Sequence, residues 1–446
     1  MKKRILGLFA LFAVVIALAA CGNNASTSTS ESSASASGST EASASASTST
    51  ASSETTSSSE TTSSADDGTQ GVTDTEIKIA NTAAVSGAYA PVGVPFNAGI
   101  QAYLDYINDG GGIDGRKITF LHKDDEFDPV KGKAYLQEMV EDEKVFSIVG
   151  HFGTPVVSAT VDDLKSYGIP SVYFATGIGQ LYAEGAKTND DGYNIFPVQP
   201  IYTTEGQIMV ARGVGTFDAK KIGIIYTSDD AGKDMLSGAT AKCNELNIEY
   251  VEAQVAAGAA DVSAAVTTIK DAGVDFVVVA SIQATMPTIV KEMAAQGMTV
   301  PAITTYVNVS PAISEQVASD INGKFDVYGN GWVSYEDERA DNLKLYQEWI
   351  DDEYAMNAYA QTGWIAASFF CEGLERLADS GEDVTWTNYM KALEEAPLQN
   401  PFGGTIDYAN GNRTGTQVMN LSKINASEET GWELVDGLKS MDELLK

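Results

Sequence analysis

Phe276-Val277-Val278-Val279-Ala280 is a run of five apolar residues with no polar alternation. A strand with one wet face alternates in polarity, whereas one buried on both faces reads as a continuous apolar run. Such strands sit inside parallel sheets covered by helices on both sides. Working outward, Lys221–Tyr226 and Glu249–Val255 read as strands before it and Ala302–Tyr306 as one after it. Between them Gly232–Leu246, Val262–Ala272 and Pro287–Gln296 carry amphipathic helical spacing. Strands alternating with helical stretches predict βαβ units.

The same alternation occupies the preceding residues. Ile77–Asn81 reads as a strand, followed by a glycine-bearing loop and a helix from about Pro95 to Asn108. Lys117–Lys123, Val145–Gly150 and Ser171–Phe174 are further strands, with Pro129–Asp142 and Val156–Tyr167 as helices between them. The pattern restarts after Val198-Gln199-Pro200 with a helix over Tyr202–Val214. From Arg339 the chain turns helical, over Arg339–Tyr354, Thr362–Ser380 and Thr385–Glu395, and closes with a Gly/Asn-rich, hairpin-like region at Thr405–Lys423. The expected fold class is α/β: two Rossmann-like doubly wound lobes joined by a multi-strand hinge. Residues 71–199 plus 335–400 form lobe one, and 200–334 plus 401–446 form lobe two. Crossings are expected near Gln199–Tyr202, Gly331–Tyr335 and Asn400–Gly404.

The N-terminus has a different character. Met1-Lys2-Lys3-Arg4 is basic, and Ile5–Ala20 is an uncharged run too short to span a bilayer, which takes roughly 20 apolar residues. A basic start, a short apolar run and small residues at its end describe a signal peptide, residues 1–20. Leu18-Ala19-Ala20-Cys21 resembles the bacterial lipobox, which implies cleavage before Cys21 and lipidation of its thiol. Residues 21–70 are then almost entirely Ser, Thr, Ala, Gly and Glu, without a single Lys or Arg. They cannot bury enough apolar surface to offset ordering entropy, so a disordered tether reaching roughly 35–42 Å is expected.

Bulk charge excludes some partners. The formal net charge is −33, and a nucleic-acid ligand needs a basic footprint, so none is expected. Cys243 and Cys371 lie far apart in helix-like segments assigned to different lobes, and are expected to be buried thiols. Of the two histidines, His122 and His151, only the latter stands near a candidate loop, and one histidine makes no metal site. The chain has no Gly-x-Ser-x-Gly elbow, phosphate-cradling P-loop or His-Glu-x-x-His. No enzyme, cofactor or metal is expected.

Four stretches carry a family resemblance: Ser86-Gly87-Ala88-Tyr89-Ala90-Pro91-Val92-Gly93, Ile107–Ile118 with its glycine turn, Asp124-Asp125-Glu126-Phe127-Asp128-Pro129, and Gly150-His151-Phe152-Gly153-Thr154. The folded part resembles the leucine/isoleucine/valine-binding proteins, substrate-binding components of ABC importers with a type 1 periplasmic-binding fold. The resemblance implies a bound amino acid whose carboxylate is held by Thr154, by Ala175 and by backbone groups of Thr176 and Gly177. This agrees with elementary placement, because open α/β sheets bind ligands beyond the carboxyl ends of their strands and helix N-termini suit anions. Ser86 and Tyr89 belong to the loop after the first strand. Phe152, Gly153, Tyr202, Tyr226, Asp229, Gln283, Tyr306 and Trp332 complete the expected site. The Gly110–Gly115 turn and the Asp128-Pro129 helix start are expected to be structural.

The chain departs from the family where the ligand's amine should sit. An acid follows the family's counterpart of Ala302–Tyr306, but here the sequence reads Thr304-Thr305-Tyr306-Val307-Asn308, and Ala231 replaces a common tyrosine. Asp229, Tyr306 or a rearranged loop could serve the amine. The cargo is therefore open between a branched-chain or other hydrophobic amino acid and a non-amino-acid, for example aromatic, carboxylate. The expected mechanism is capture by lobe closure, with a monomeric lipoprotein on the extracytoplasmic face of the cell membrane feeding an ABC permease. A ligand sensor serving a membrane receptor is the alternative.

Overall fold

The computed structural model describes residues 68–335 and 339–446. The signal peptide, Cys21 and the tether lie outside the described residues. Lobe one opens with β1 (Glu76–Thr82), α1 (Ala90–Asp109), β2 (Lys117–Lys123), α2 (Pro129–Gln137), β3 (Ser147–Phe152), α3 (Thr154–Tyr167), β4 (Ser171–Ala175) and β5 (Ile195–Phe196). Its five strands pair in the order β2-β1-β3-β4-β5, all parallel. β3 is buried along its whole length, because helices cover both faces.

Lobe two continues with α4 (Tyr202–Phe217), β6 (Lys221–Thr227), α5 (Asp230–Leu246), β7 (Glu249–Val255), α6 (Ser263–Asp271), β8 (Phe276–Ala280), α7 (Met286–Ala295), β9 (Ala302–Thr304), α8 (Pro311–Ile321) and β10 (Val327–Gly331). The chain then adds α9 (Ala340–Trp349), α10 (Ala358–Ser380), α11 (Trp386–Glu395), β11 (Leu398–Gln399), β12 (Thr405–Ile406), β13 (Val418–Ile424), β14 (Trp432–Ser440) and α12 (Met441–Leu444). The second sheet runs β14-β13-β10-β9-β8-β6-β7, with β8 fully buried near its centre.

The structure differs from the sequence reading in two places. The C-terminal hairpin is β13–β14, not Thr405–Lys423. Residues 408–413 instead hold to lobe one through the fully buried Arg413, which donates to Tyr193 O, Tyr408 O and the Glu394 carboxylate and lies 4.2 Å from the Phe196 ring centroid. The helix expected over Arg339–Tyr354 ends at Trp349, and a separate 3-10 turn covers Asp352–Tyr354.

Each lobe has a helix pair brought to backbone contact by reciprocal glycines. A Cβ on Gly99 of α1 would lie 1.8 Å from Ala360 O, and one on Gly363 of α10 would lie 1.9 Å from Phe96 O. In lobe two, Gly206 of α4 abuts Met235 O and Gly238 of α5 abuts Thr203 O. The α1–α10 contact is how a helix late in the chain returns to lobe one. Three connections run between the sheets, and they bond to one another: Ser334 N–H donates to Phe402 O at 2.7 Å, and Thr416 N–H donates to Val198 O at 2.9 Å. Cys243 on α5 and Cys371 on α10 are both buried. Among the described residues no helix is long and apolar enough to cross a membrane.

Replacing Gly363 by alanine forces α1 and α10 apart, a strain of the overpacking kind that costs about 1–3 kcal/mol. Chemical denaturation of Gly363→Ala should show a loss of that size; an unchanged midpoint would mean that the helices do not meet at this notch.

Candidate functional site

Between the lobes lies a cavity of about 360 Å³. Its deep section is organised around the N-terminus of α3. Gly153 caps that helix in a left-handed conformation, φ 89°, and no side chain caps it by hydrogen bond. Pro155 has no N–H, so the first turn offers the Thr154 and Val156 N–H groups and the Thr154 hydroxyl. Unsatisfied N–H groups and the helix dipole together favour an anion. Gly153 is required twice over, because a Cβ there would meet the Phe127 ring at 2.5 Å. Thr154 is buried, and its Oγ1 lies 2.9 Å from Thr176 Oγ1, which ties the loop after β3 to the loop after β4.

Aromatic rings from both lobes close over this end. Tyr89 stacks on Phe127 at 3.6 Å, Tyr202 stacks on Tyr306 at 5.7 Å, and Trp332 meets Tyr306 edge-on at 6.5 Å. The Tyr306 hydroxyl donates to Pro200 O at 3.0 Å and lies 3.1 Å from Gln199 Oε1, so the ring is anchored to a hinge crossing. Burial pushes the Tyr202 hydroxyl up to about 12, against hydrogen bonds with Thr176 and Thr154. The tyrosines therefore stay neutral donors at any physiological pH.

Below Tyr306 sits Glu205, a fully buried carboxylate on α4. It accepts from the Thr305 hydroxyl at 2.6 Å, from Tyr306 N–H at 2.8 Å and from Asn330 Nδ2 at 3.3 Å. It thus fixes the loop after β9 to α4 and β10. Desolvation pushes its pKa up to about 8, outweighing those donors and the Arg212 charge, which lower it.

Across the cleft, the Ser158 hydroxyl donates to the Asp230 carboxylate at 2.7 Å, and Gly179 N–H donates to Asp234 at 2.7 Å. On the other side, Tyr359 of α10 donates to Val307 O at 3.1 Å and lies 3.0 Å from Ser310 Oγ. The lobes are closed on each other.

Of the residues expected from sequence, Tyr89, Phe152, Gly153, Thr154, Ala175, Tyr202, Gln283, Tyr306 and Trp332 line the cavity. Ser86, Thr176, Gly177, Tyr226 and Asp229 stand off its wall. Ser86 is exposed and bonds the Asp124 carboxylate. Thr176 supports Thr154 from behind, and Gly177 is packed against Pro200 O and the Tyr306 hydroxyl. Tyr226 bonds Gln254 on an exposed surface. Asp229 is spent capping α5, accepting from Thr227 Oγ1 at 2.7 Å and Gly232 N–H at 3.0 Å.

Sequence reasoning missed Phe127, Gln199, Tyr335 and Tyr359, all of which line the cavity. The Asp124–Pro129 junction does more than start a helix. Glu126 and Phe127 are consecutive left-handed residues at φ 53° and 64°, held by Asp124 Oδ1 on Glu126 N–H and the buried Asp125 on Phe127 N–H. That strained turn aims Phe127 inward, and no linear motif announces it. His151 is a fully buried core residue facing Thr160 and Thr82, and burial lowers its pKa to about 4.

Comparison with known proteins agrees with this architecture. The periplasmic binding protein family model matches residues 76–429, well over half the chain. The Leu/Ile/Val-binding protein homolog 1 of Brucella suis is 25% identical over 330 residues, covering 72% of this chain and 82% of that protein. A fatty acid ABC transporter substrate-binding protein from Thermomonospora curvata superposes with a TM-score of 0.72 at 20% identity, over 84% of this chain and 95% of its own. A branched-chain amino acid ABC transporter protein from Thermus thermophilus, crystallised with valine, gives 0.72 at 15% identity, over 84% and 98%.

Because the folded pKa of Glu205 lies above its unfolded value near 4.5, the stability linked to it is complete below pH 4.5 and is lost as pH rises through about 8. Melting temperatures of wild type and Glu205→Gln, followed from pH 5 to 9, should diverge: the wild type falls while the variant, which keeps the shape without the charge, falls less. Parallel curves would show that Glu205 does not titrate in this window.

Proposed function

The chain belongs to the periplasmic binding protein family, and on that premise we propose that it is the extracytoplasmic solute-binding component of an ABC importer, capturing a carboxylate-bearing ligand with a hydrophobic body by lobe closure. The observation that carries this reading is the uncapped α3 N-terminus opening into an aromatic-walled cavity between two lobes. The carboxylate docks on Thr154 and the free N–H groups of lobe one. Closure then brings Tyr202, Tyr306 and Trp332 over the hydrophobic body. Gly153, Ala175 and Phe152 shape the docking surface, with Thr176 and Gly177 as its support.

Structures of this shape include one with bound valine and one named for fatty acid, which supports a carboxylate as the shared element rather than one side chain. The lipid proposed on Cys21 and the segment after it would keep the monomer beside its permease; a Cys21→Ser variant that still incorporated radiolabelled palmitate would refute that anchor. Among the described residues no acid lines the cavity beside the α3 N-terminus. Apolar monocarboxylates such as phenylacetate therefore belong in any ligand screen alongside leucine and valine.

The test compares acids with their amides. Ligand at one hundred times its dissociation constant stabilises the folded state by about 2.7 kcal/mol, a readily measured rise in melting temperature. Hydrophobic acids should produce that rise, their primary amides should bind at least tenfold more weakly, and small-angle scattering should show compaction on saturation. Equal binding of acid and amide would sink the carboxylate assignment.

A further inference from the structure

The cavity continues beyond the α3 end. Past Trp332 and Val333 it follows one face of β13 and β14, where Asn420, Ser422, Thr430 and Leu434 line it. Ser422 pairs with Leu434 in the sheet register, and Asn420 lies two residues before Ser422, so these side chains share a face. Lobe one contributes Met356 and Ala358 to the same section. Leu434 is 46% exposed, an apolar side chain that the fold leaves open at this end of the cavity.

This outer section holds an unpaired acceptor. Asn420 is only 4% exposed, and its Nδ2 donates to Val333 O at 2.7 Å. Its Oδ1 is buried and has no partner among the described residues. A Cβ at Gly331 would sit 2.3 Å from that oxygen, so the missing side chain is what makes room for it. A buried carbonyl oxygen without a donor is unfavourable, and an amide N–H reaching it from the cavity would satisfy it. Farther out, Glu428 is the one charged side chain of the cavity wall among the described residues. Of the lobe-two acids near the deep section, Glu205 is held by the loop after β9, and Asp229 caps α5 through its Oδ1 and is not on the cavity wall.

An α-amino acid carries its ammonium one carbon from its carboxylate, where no acid lines this wall among the described residues. We propose that the outer section is a second subsite, and that the ligand is an elongated carboxylate whose N–H groups lie several bonds away, as in a short peptide. Its carboxylate occupies the α3 end, an amide N–H donates to Asn420 Oδ1, and a terminal ammonium faces Glu428. This rests on the carboxylate reading above.

Calorimetry on the full-length protein with leucine, phenylacetate, leucyl-leucine and N-acetyl-leucyl-leucine tests it. Leucyl-leucine should bind at least tenfold more tightly than leucine or phenylacetate. Leu434→Trp, which fills the outer section from a partly exposed position, should weaken leucyl-leucine at least tenfold more than phenylacetate. Glu428→Gln should weaken leucyl-leucine several-fold and leave its N-acetyl form, which has no ammonium, relatively unaffected. Phenylacetate or leucine binding as tightly as the peptide, or Leu434→Trp weakening both ligands alike, overturns the second subsite while the carboxylate reading stands. Failure of all four ligands overturns both.

Discussion

The carboxylate of Glu205 is the point on which the second lobe's half of the site depends. It gathers α4, the loop after β9 and β10 around one buried carboxyl group. Tyr306 inherits its position from that arrangement. The Tyr306 hydroxyl then reaches Gln199 and Pro200, so the same support extends to a hinge crossing. A carboxyl group with no solvent and several donors is costly to disturb in either direction. Losing its partners leaves a buried polar group unpaired, and ionising it in place meets a desolvation penalty. The lobe-two wall of the cavity is therefore set by a residue that does not itself line it.

Lobe one solves the complementary problem with backbone rather than charge. The α3 N-terminus needs open N–H groups, and Gly153 provides the left-handed cap without a side chain that would cover them. The room left by that glycine is taken by Phe127, which a strained turn delivers from the loop after β2. Electrostatic attraction and apolar packing thus meet within one pair of residues. The two sides come together through bonds at separate margins of the cleft, Ser158 and Gly179 to α5 at one and Tyr359 to the loop after β9 at the other. Such bonds form only when the lobes are shut, which is how closure and the completed site come to depend on each other.

Much of this was legible in the linear chain. The continuous apolar run at Phe276–Ala280 announced a buried parallel strand, and the alternation around it announced two α/β lobes. The loops after β1, β3 and β4 could be placed at the ligand end because strand polarity decides where loops emerge. Thr154 followed from that placement, while Tyr202 and Tyr306 were legible only as aromatics able to line a pocket. Asp229 and Tyr226 did not end up on the cavity, because a carboxylate just before a helix is claimed by the helix's own N–H groups and a tyrosine at a strand end can turn outward. Phe127 was hidden for the opposite reason: its inward aim comes from backbone angles that side-chain identity does not encode in any simple pattern.

The amino-acid sequence by itself determined the fold class, the family and the lobe-one loops, because those depend on local periodicity and on motifs contiguous in the chain. Only the tertiary structure decided which side chains share a wall. Glu205 meets Thr305 and Tyr306 across some hundred residues, and Asn420 meets Gly331 and Val333 across nearly ninety. Burial, unpaired acceptors and the length of the cavity are properties of those long-range meetings, so they come into being only when the two lobes are folded and closed.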